Sequence, residues 1–139
     1  MSIASQTLGA LNAFIDITFD GPVYTTAGSG GLVAGDFSLA FAANAGTATG
    51  VTITSVTTTS GGVPAGGETT LRLVLTVTGT VSGTETITIT PNTNTSIYDL
   101  AGNAAQTSTT TGAVTLLVTA GPNITNVTSS KTDGSYKAG

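Results

Sequence analysis

Residues 15–20 read Ile15-Asp16-Ile17-Thr18-Phe19-Asp20. Apolar and polar side chains alternate, so Ile15, Ile17 and Phe19 share one face while Asp16, Thr18 and Asp20 share the other. A period of two marks a half-buried β-strand, because successive strand side chains point to opposite faces. The rhythm recurs along the chain. Gly21-Pro22 interrupts the ladder before Val23-Tyr24, as Pro does at an edge or a bulge. Residues 36–41 alternate with Phe37, Leu39 and Phe41 inward, and Val51-Thr52-Ile53 continues the pattern. Thr54-Ser55-Val56 then shifts its phase, which predicts a bulge. Residues 71–78 form the most hydrophobic segment and are expected at the centre of a sheet, with Arg72 facing outward toward an exposed carboxylate. Residues 85–90 alternate until Pro91 stops them, and residues 114–118 complete the set.

Between these segments lie loops rich in Gly, Ser and Thr: residues 25–35, 60–67 and 92–95. No window of comparable length carries the capped i, i+3, i+4 pattern of a helix. About seven short strands separated by such turns predict an all-β antiparallel β-sandwich. A Thr/Gly-rich β-solenoid is the rival fold. It would need a short fixed repeat, which the sequence lacks.

Ser96-Ile97-Tyr98-Asp99-Leu100-Ala101-Gly102-Asn103 closes the strand region. Asp99 can fold its carboxylate back onto backbone N–H groups two residues on, as in an Asx-turn, and Gly102 can take the positive φ of a tight reversal. A second reading makes the corner a calcium site with Asp99 and Asn103 as oxygen ligands. Calcium takes six to eight oxygens, and one Asp beside an Asn supplies too few alone, so the turn reading stands ahead.

Composition narrows the function. Charged residues make up 7% of the 139, far below the share in ordinary soluble domains. The net charge is -4, and the three basic residues, Arg72, Lys131 and Lys137, offer no footprint for nucleic acid. Cysteine is absent, so there is no disulfide framework and no thiol nucleophile; histidine and tryptophan are absent too. A paired-carboxylate glycosidase would need two convergent acids, but Asp16, Asp20, Asp36, Glu68, Glu85, Asp99 and Asp133 are scattered. A non-enzymatic role without a resident cofactor is expected. Met1–Gln6 lacks a basic n-region and a long apolar core, so it does not read as an intact secretory signal. No apolar run approaches the length of a membrane span.

The order of four segments resembles a bacterial Ig-like repeat module: residues 14–24, 35–39, 84–91, and Ile-Tyr-Asp-Leu-Ala-Gly-Asn-Ala at 97–104. The resemblance covers residues 3–119, and Asp-x-Ala-Gly-Asn is its most diagnostic piece. It implies an Ig-like sandwich outside the cell, at the cell surface, serving as a stalk, spacer or adhesive unit in a tandem-repeat protein. Such modules are often stiffened by calcium between neighbours.

Gly121-Pro122 marks a boundary between a sandwich over 1–120 and a segment over 121–139. The segment looks like the opening strand of a next repeat. It either returns to its own sandwich as an extra edge strand or adds to a sheet edge of a neighbouring copy, giving a head-to-tail filament. Ile124, Val127 and Tyr136 are its candidate assembly residues. Asn94, Asn123 and Asn126 each begin a glycosylation sequon, read as incidental in so Thr-rich a chain. A Lys–Asn isopeptide bond is not expected, because no strand of the sandwich carries a lysine.

Two roles from different classes follow. One is a structural module that joins identical or related modules. The other is a binding module that recognises carbohydrate or a host surface through its loops, where Tyr24, Tyr98 and Tyr136 are the tyrosines available for stacking. Their dispersal in sequence favours the first.

Overall fold

The computed structural model describes residues 1–119 and residue 121. Alternation along the sequence becomes antiparallel pairing in space. Seven strands form among the described residues: β1 (Ile3–Leu8), β2 (Phe14–Val23), β3 (Phe37–Ala42), β4 (Gly50–Thr57), β5 (Glu68–Thr78), β6 (Thr86–Pro91) and β7 (Val114–Thr115). They make two antiparallel sheets, ordered β1-β2-β5-β4 and β3-β6-β7, as in a β-sandwich. The segment expected at a sheet centre does sit there: β5 is held by β2 on one side and β4 on the other.

The core follows from parity. Ile15, Ile17 and Phe19 of β2 and Leu71, Leu73 and Leu75 of β5 are buried on one sheet, Ile87 and Ile89 of β6 on the other. Burying such a side chain fully contributes about 1.5–3 kcal/mol. Leu32, Ile97 and Leu116 add to the core from outside the regular strands. On the outer face of the first sheet Arg72 donates from Nε and Nη2 to the two Asp16 oxygens, each at 2.8 Å, across the β2–β5 pair. Its guanidinium carbon lies 3.6 Å from the Phe14 ring centre. The expected carboxylate partner is therefore a cross-strand neighbour.

Two differences from the sequence expectations stand out, at β1 and at the last strand. β1 lacks alternation and was not expected; it lies on the sheet edge with mostly exposed side chains, so no face had to be apolar. Gly21-Pro22 interrupts the ladder as expected of a Pro at an edge or a bulge. The strand runs on to Val23 through a register shift between Thr18 and Val23, so the Pro sits in a bulge. The last strand is shorter than residues 114–118: β7 stops at Thr115, and Leu117 takes a side chain rather than a strand as its partner. The bulge expected near Thr54 is present, as a shift between Ile53 and Ser55. The expected C-terminal extra strand, with Ile124, Val127 and Tyr136, lies outside the described residues.

Candidate functional site

Strand directions divide the loops between two poles. β2 and β3 are joined by residues 24–36, β4 and β5 by 58–67, and β6 leads into 92–104. These connections gather at one end, the Asp99 pole, together with Met1 and the end of β2. Residues 9–13, 43–49, 79–85 and 116–119 gather at the other, the Glu85 pole.

At the Asp99 pole the Asx-type corner is present. Asp99 Oδ1 accepts from the Asn103 backbone N–H and Oδ2 from Asn103 Nδ2, both at 2.8 Å. The reach is four residues, not two. Gly102 sits at φ 85°, and its N–H donates to the Asp99 carbonyl at 3.1 Å. The Asn103 side chain and then its backbone N–H hold the Asp99 carboxyl below the usual range. Thus the two candidate calcium ligands are brought together, but Asn103 donates to Asp99 through its amide nitrogen. The corner needs no cation to hold its carboxylate.

The neighbouring acids are hydrogen-bonded too. Asp36 accepts from the Val33 N–H, Glu68 from the N–H groups of Ala65 and Gly66, and Asp20 from the Ser2 hydroxyl. Bonds from Ser2 lower the Asp20 carboxyl as well. The carboxylates of Asp36, Glu68 and Asp99 each fix a turn, while Asp20 ties the N-terminal residues to β2. No group of three or more carboxylates converges among the described residues.

The same pole brings two tyrosines together. Tyr24 and Tyr98 exchange backbone hydrogen bonds at 2.9 and 2.8 Å. Gly66 and Gly67 back onto the Tyr24 ring. Beside them lies a cleft of about 340 Å³ lined by Met1, Gly21, Pro22, Leu100 and Ala101, with Asp20 and Asp99 also on its wall. Leu100, 65% exposed, stands at this cleft, and Val33 and Val63 project from the adjoining loops.

The Glu85 pole holds a residue the sequence reading passed over. Glu85 is completely buried, and its partners among the described residues are hydrogen-bond donors rather than a cation. Its Oε1 accepts from the N–H groups of Thr47 and Ala48 at 2.8 and 2.9 Å. Oε2 accepts from those of Gly83 and Thr84, while the Ser82 N–H and hydroxyl serve both oxygens. Burial pushes its pKa up, but the N–H groups of Ala48 and Ser82 outweigh it and hold the carboxyl far below its ordinary value. One carboxylate therefore staples the β3–β4 loop to the β5–β6 turn. Glycine at 46 is required, because a Cβ there would overlap the Glu85 carboxyl. The signal was present: Glu85 shares the parity of Ile87 and Ile89, which are core residues.

A second clamp lies next to it. Asn12, 1% exposed, donates from Nδ2 to the Leu117 carbonyl and accepts the Leu117 N–H on Oδ1, both at 2.7 Å. Its amide imitates a strand partner. Leu11 and Asn12 are both held at positive φ, 55° and 58°. For a bulky residue such as Leu that is a strained conformation, costing roughly 1–3 kcal/mol. Leu11 is nevertheless 75% exposed, and at the same pole Leu117 and Val118 are exposed at 46% and 58%. Val118 packs onto Gly83, where a Cβ would come within 2.6 Å of its Cγ2, so knob and staple are continuous.

No family model matches this chain, and neither a curated protein nor a solved structure matches it.

Proposed function

We propose that this chain is a non-enzymatic structural module of an extracellular surface protein or filament, joined head to tail to identical or related modules. The observation that carries the reading is axial: Met1 lies at the Asp99 pole and Thr119 at the Glu85 pole, the length of the sandwich apart. Force applied between those points runs along the strands and loads the β1–β2 ladder in shear. The capping carboxylates support the same role, since they stiffen the loops at both ends. The Ig-like resemblance over residues 3–119 agrees with it.

Joining by β-strand addition of the segment after Gly121 belongs to this proposal. It draws support from the sheet edges. β1, β3 and β4 lie at edges and contain no Asp, Glu, Lys, Arg or Pro, the residues that normally block edge-to-edge pairing. Size-exclusion chromatography of a chain ending at Gly121 tests it. That end point keeps Thr119, whose N–H and hydroxyl bond Val81. Assembly lost on truncation supports strand addition, and assembly unchanged refutes it.

A binding module for carbohydrate or a host surface is the second reading, favoured by one observation. Tyr24 and Tyr98, far apart in sequence, are paired at the Asp99 pole next to a cleft. Specific signals on a glycan array, abolished by Tyr98→Ala, would place this reading first.

A further inference from the structure

All six large apolar residues that the described chain leaves exposed lie at its poles. Leu11, Leu117 and Val118 are at the Glu85 pole, and Val33, Val63 and Leu100 are at the Asp99 pole. Monomeric proteins scatter single exposed apolar residues over their surface, and a grouped set marks a contact. The two groups also differ in shape. At the Glu85 pole the Asn12 clamp ties the Leu117 backbone to the residue that follows Leu11, and this group, with Leu11 held at positive φ, serves as a knob. At the Asp99 pole Leu100 stands at a cleft of about 340 Å³ walled by Pro22 and Ala101.

We infer that the knob of one copy of this chain seats in the Leu100 cleft of a second copy. The inference rests on the head-to-tail reading above and names the surfaces that meet. The occupant is a second copy because knob and cleft are carried by one chain on opposite ends. A contact between unlike surfaces of one chain does not close on itself, so it propagates into a line.

Charge points the same way. The Asp99 pole carries Asp20, Asp36, Glu68 and Asp99. The one Lys or Arg among the described residues, Arg72, is spent on Asp16 at the flank. Both lysines of the chain, Lys131 and Lys137, follow the Glu85 pole in sequence. A second copy seated knob-first therefore approaches the acidic pole with the end from which its lysine-bearing segment continues.

The test uses two variants of the full chain. Leu11→Asp spoils the knob and is tolerated by the fold, because Asp accepts positive φ better than Leu. Leu100→Asp spoils the cleft at an exposed loop position. Sedimentation velocity over a concentration series is the readout, with melting curves confirming that each variant folds. The parent chain is expected to grow in mass with concentration. Each variant alone should associate at least tenfold more weakly. An equimolar mixture should recover association but stop at a 1:1 pair, since each variant keeps one intact pole. The inference is overturned if the parent chain stays monomeric, if either variant associates like the parent, or if the mixture does not pair. Association that survives both substitutions but disappears in the chain ending at Gly121 would overturn the knob-and-cleft contact and leave the head-to-tail reading intact.

Discussion

Glu85 shows what a single residue does in a chain with so few charges. A buried carboxylate without a counter-ion is costly unless hydrogen bonds favour its charged form, and here backbone N–H groups from two loops do so. Because the folded-state pKa lies below the unfolded value of about 4.3, the resulting stabilisation is fully present above that pH. It is lost as the pH falls toward the folded value. Asp20 and Asp99 are lowered too and add to the same acid limb. Melting temperature followed from pH 7 to pH 2 should therefore fall in the acid range, and Glu85→Gln should flatten that fall. At pH 7 the same variant should melt lower by more than a surface substitution causes, since the Gln amide turns a donor toward donors. A Glu85→Gln profile that tracks the parent at every pH would show that the carboxylate is not the staple. Gly46→Ala should also melt lower, through the overlap of its Cβ with Glu85, by thermal denaturation at neutral pH. In the sequence Glu85 looked like any acid at a strand start; its parity with Ile87 and Ile89 was legible, but the donors that make it a staple between loops, the N–H groups of Thr47 and Ala48, lie far away in the chain. Asp99 was easier, because its partner is four residues along the chain.

Elements with a buried face were legible; β1 was missed and the last strand was read too long. β2, β3, β5 and β6 alternate because one side of each meets the core. β1 has no such demand, and β7 is cut short where Asn12 replaces a strand partner for Leu117. A side-chain amide recruited from a loop leaves no periodic trace in sequence. Asn12→Ala should expose the Leu117 N–H and carbonyl, at a cost of about 1 kcal/mol for the broken part-buried hydrogen bonds. Amide exchange by NMR checks this: Leu117 should exchange faster relative to Leu73 of β5 than in the parent. Equal loss of protection at both sites would mean that Asn12 serves the whole fold rather than the Glu85 pole.

At the scale of the molecule, stability draws on the buried apolar residues and the proposed association on the exposed ones. Leu73→Ala, in the central strand, should cost about 2–5 kcal/mol in chemical denaturation, because it leaves a cavity between the sheets. Val63→Ala, at a position 88% exposed, should stay within about 0.5 kcal/mol. The sandwich and its central strand could be read from alternation; the two poles could not, because each is assembled from loops distant in sequence whose exposed residues follow no period. The central claim is that copies join along the long axis through those poles. Negative-stain microscopy of the native material tests it most directly. The account predicts linear strings one sandwich wide, with contacts between successive ends; laterally packed sheets or dispersed single sandwiches would contradict it.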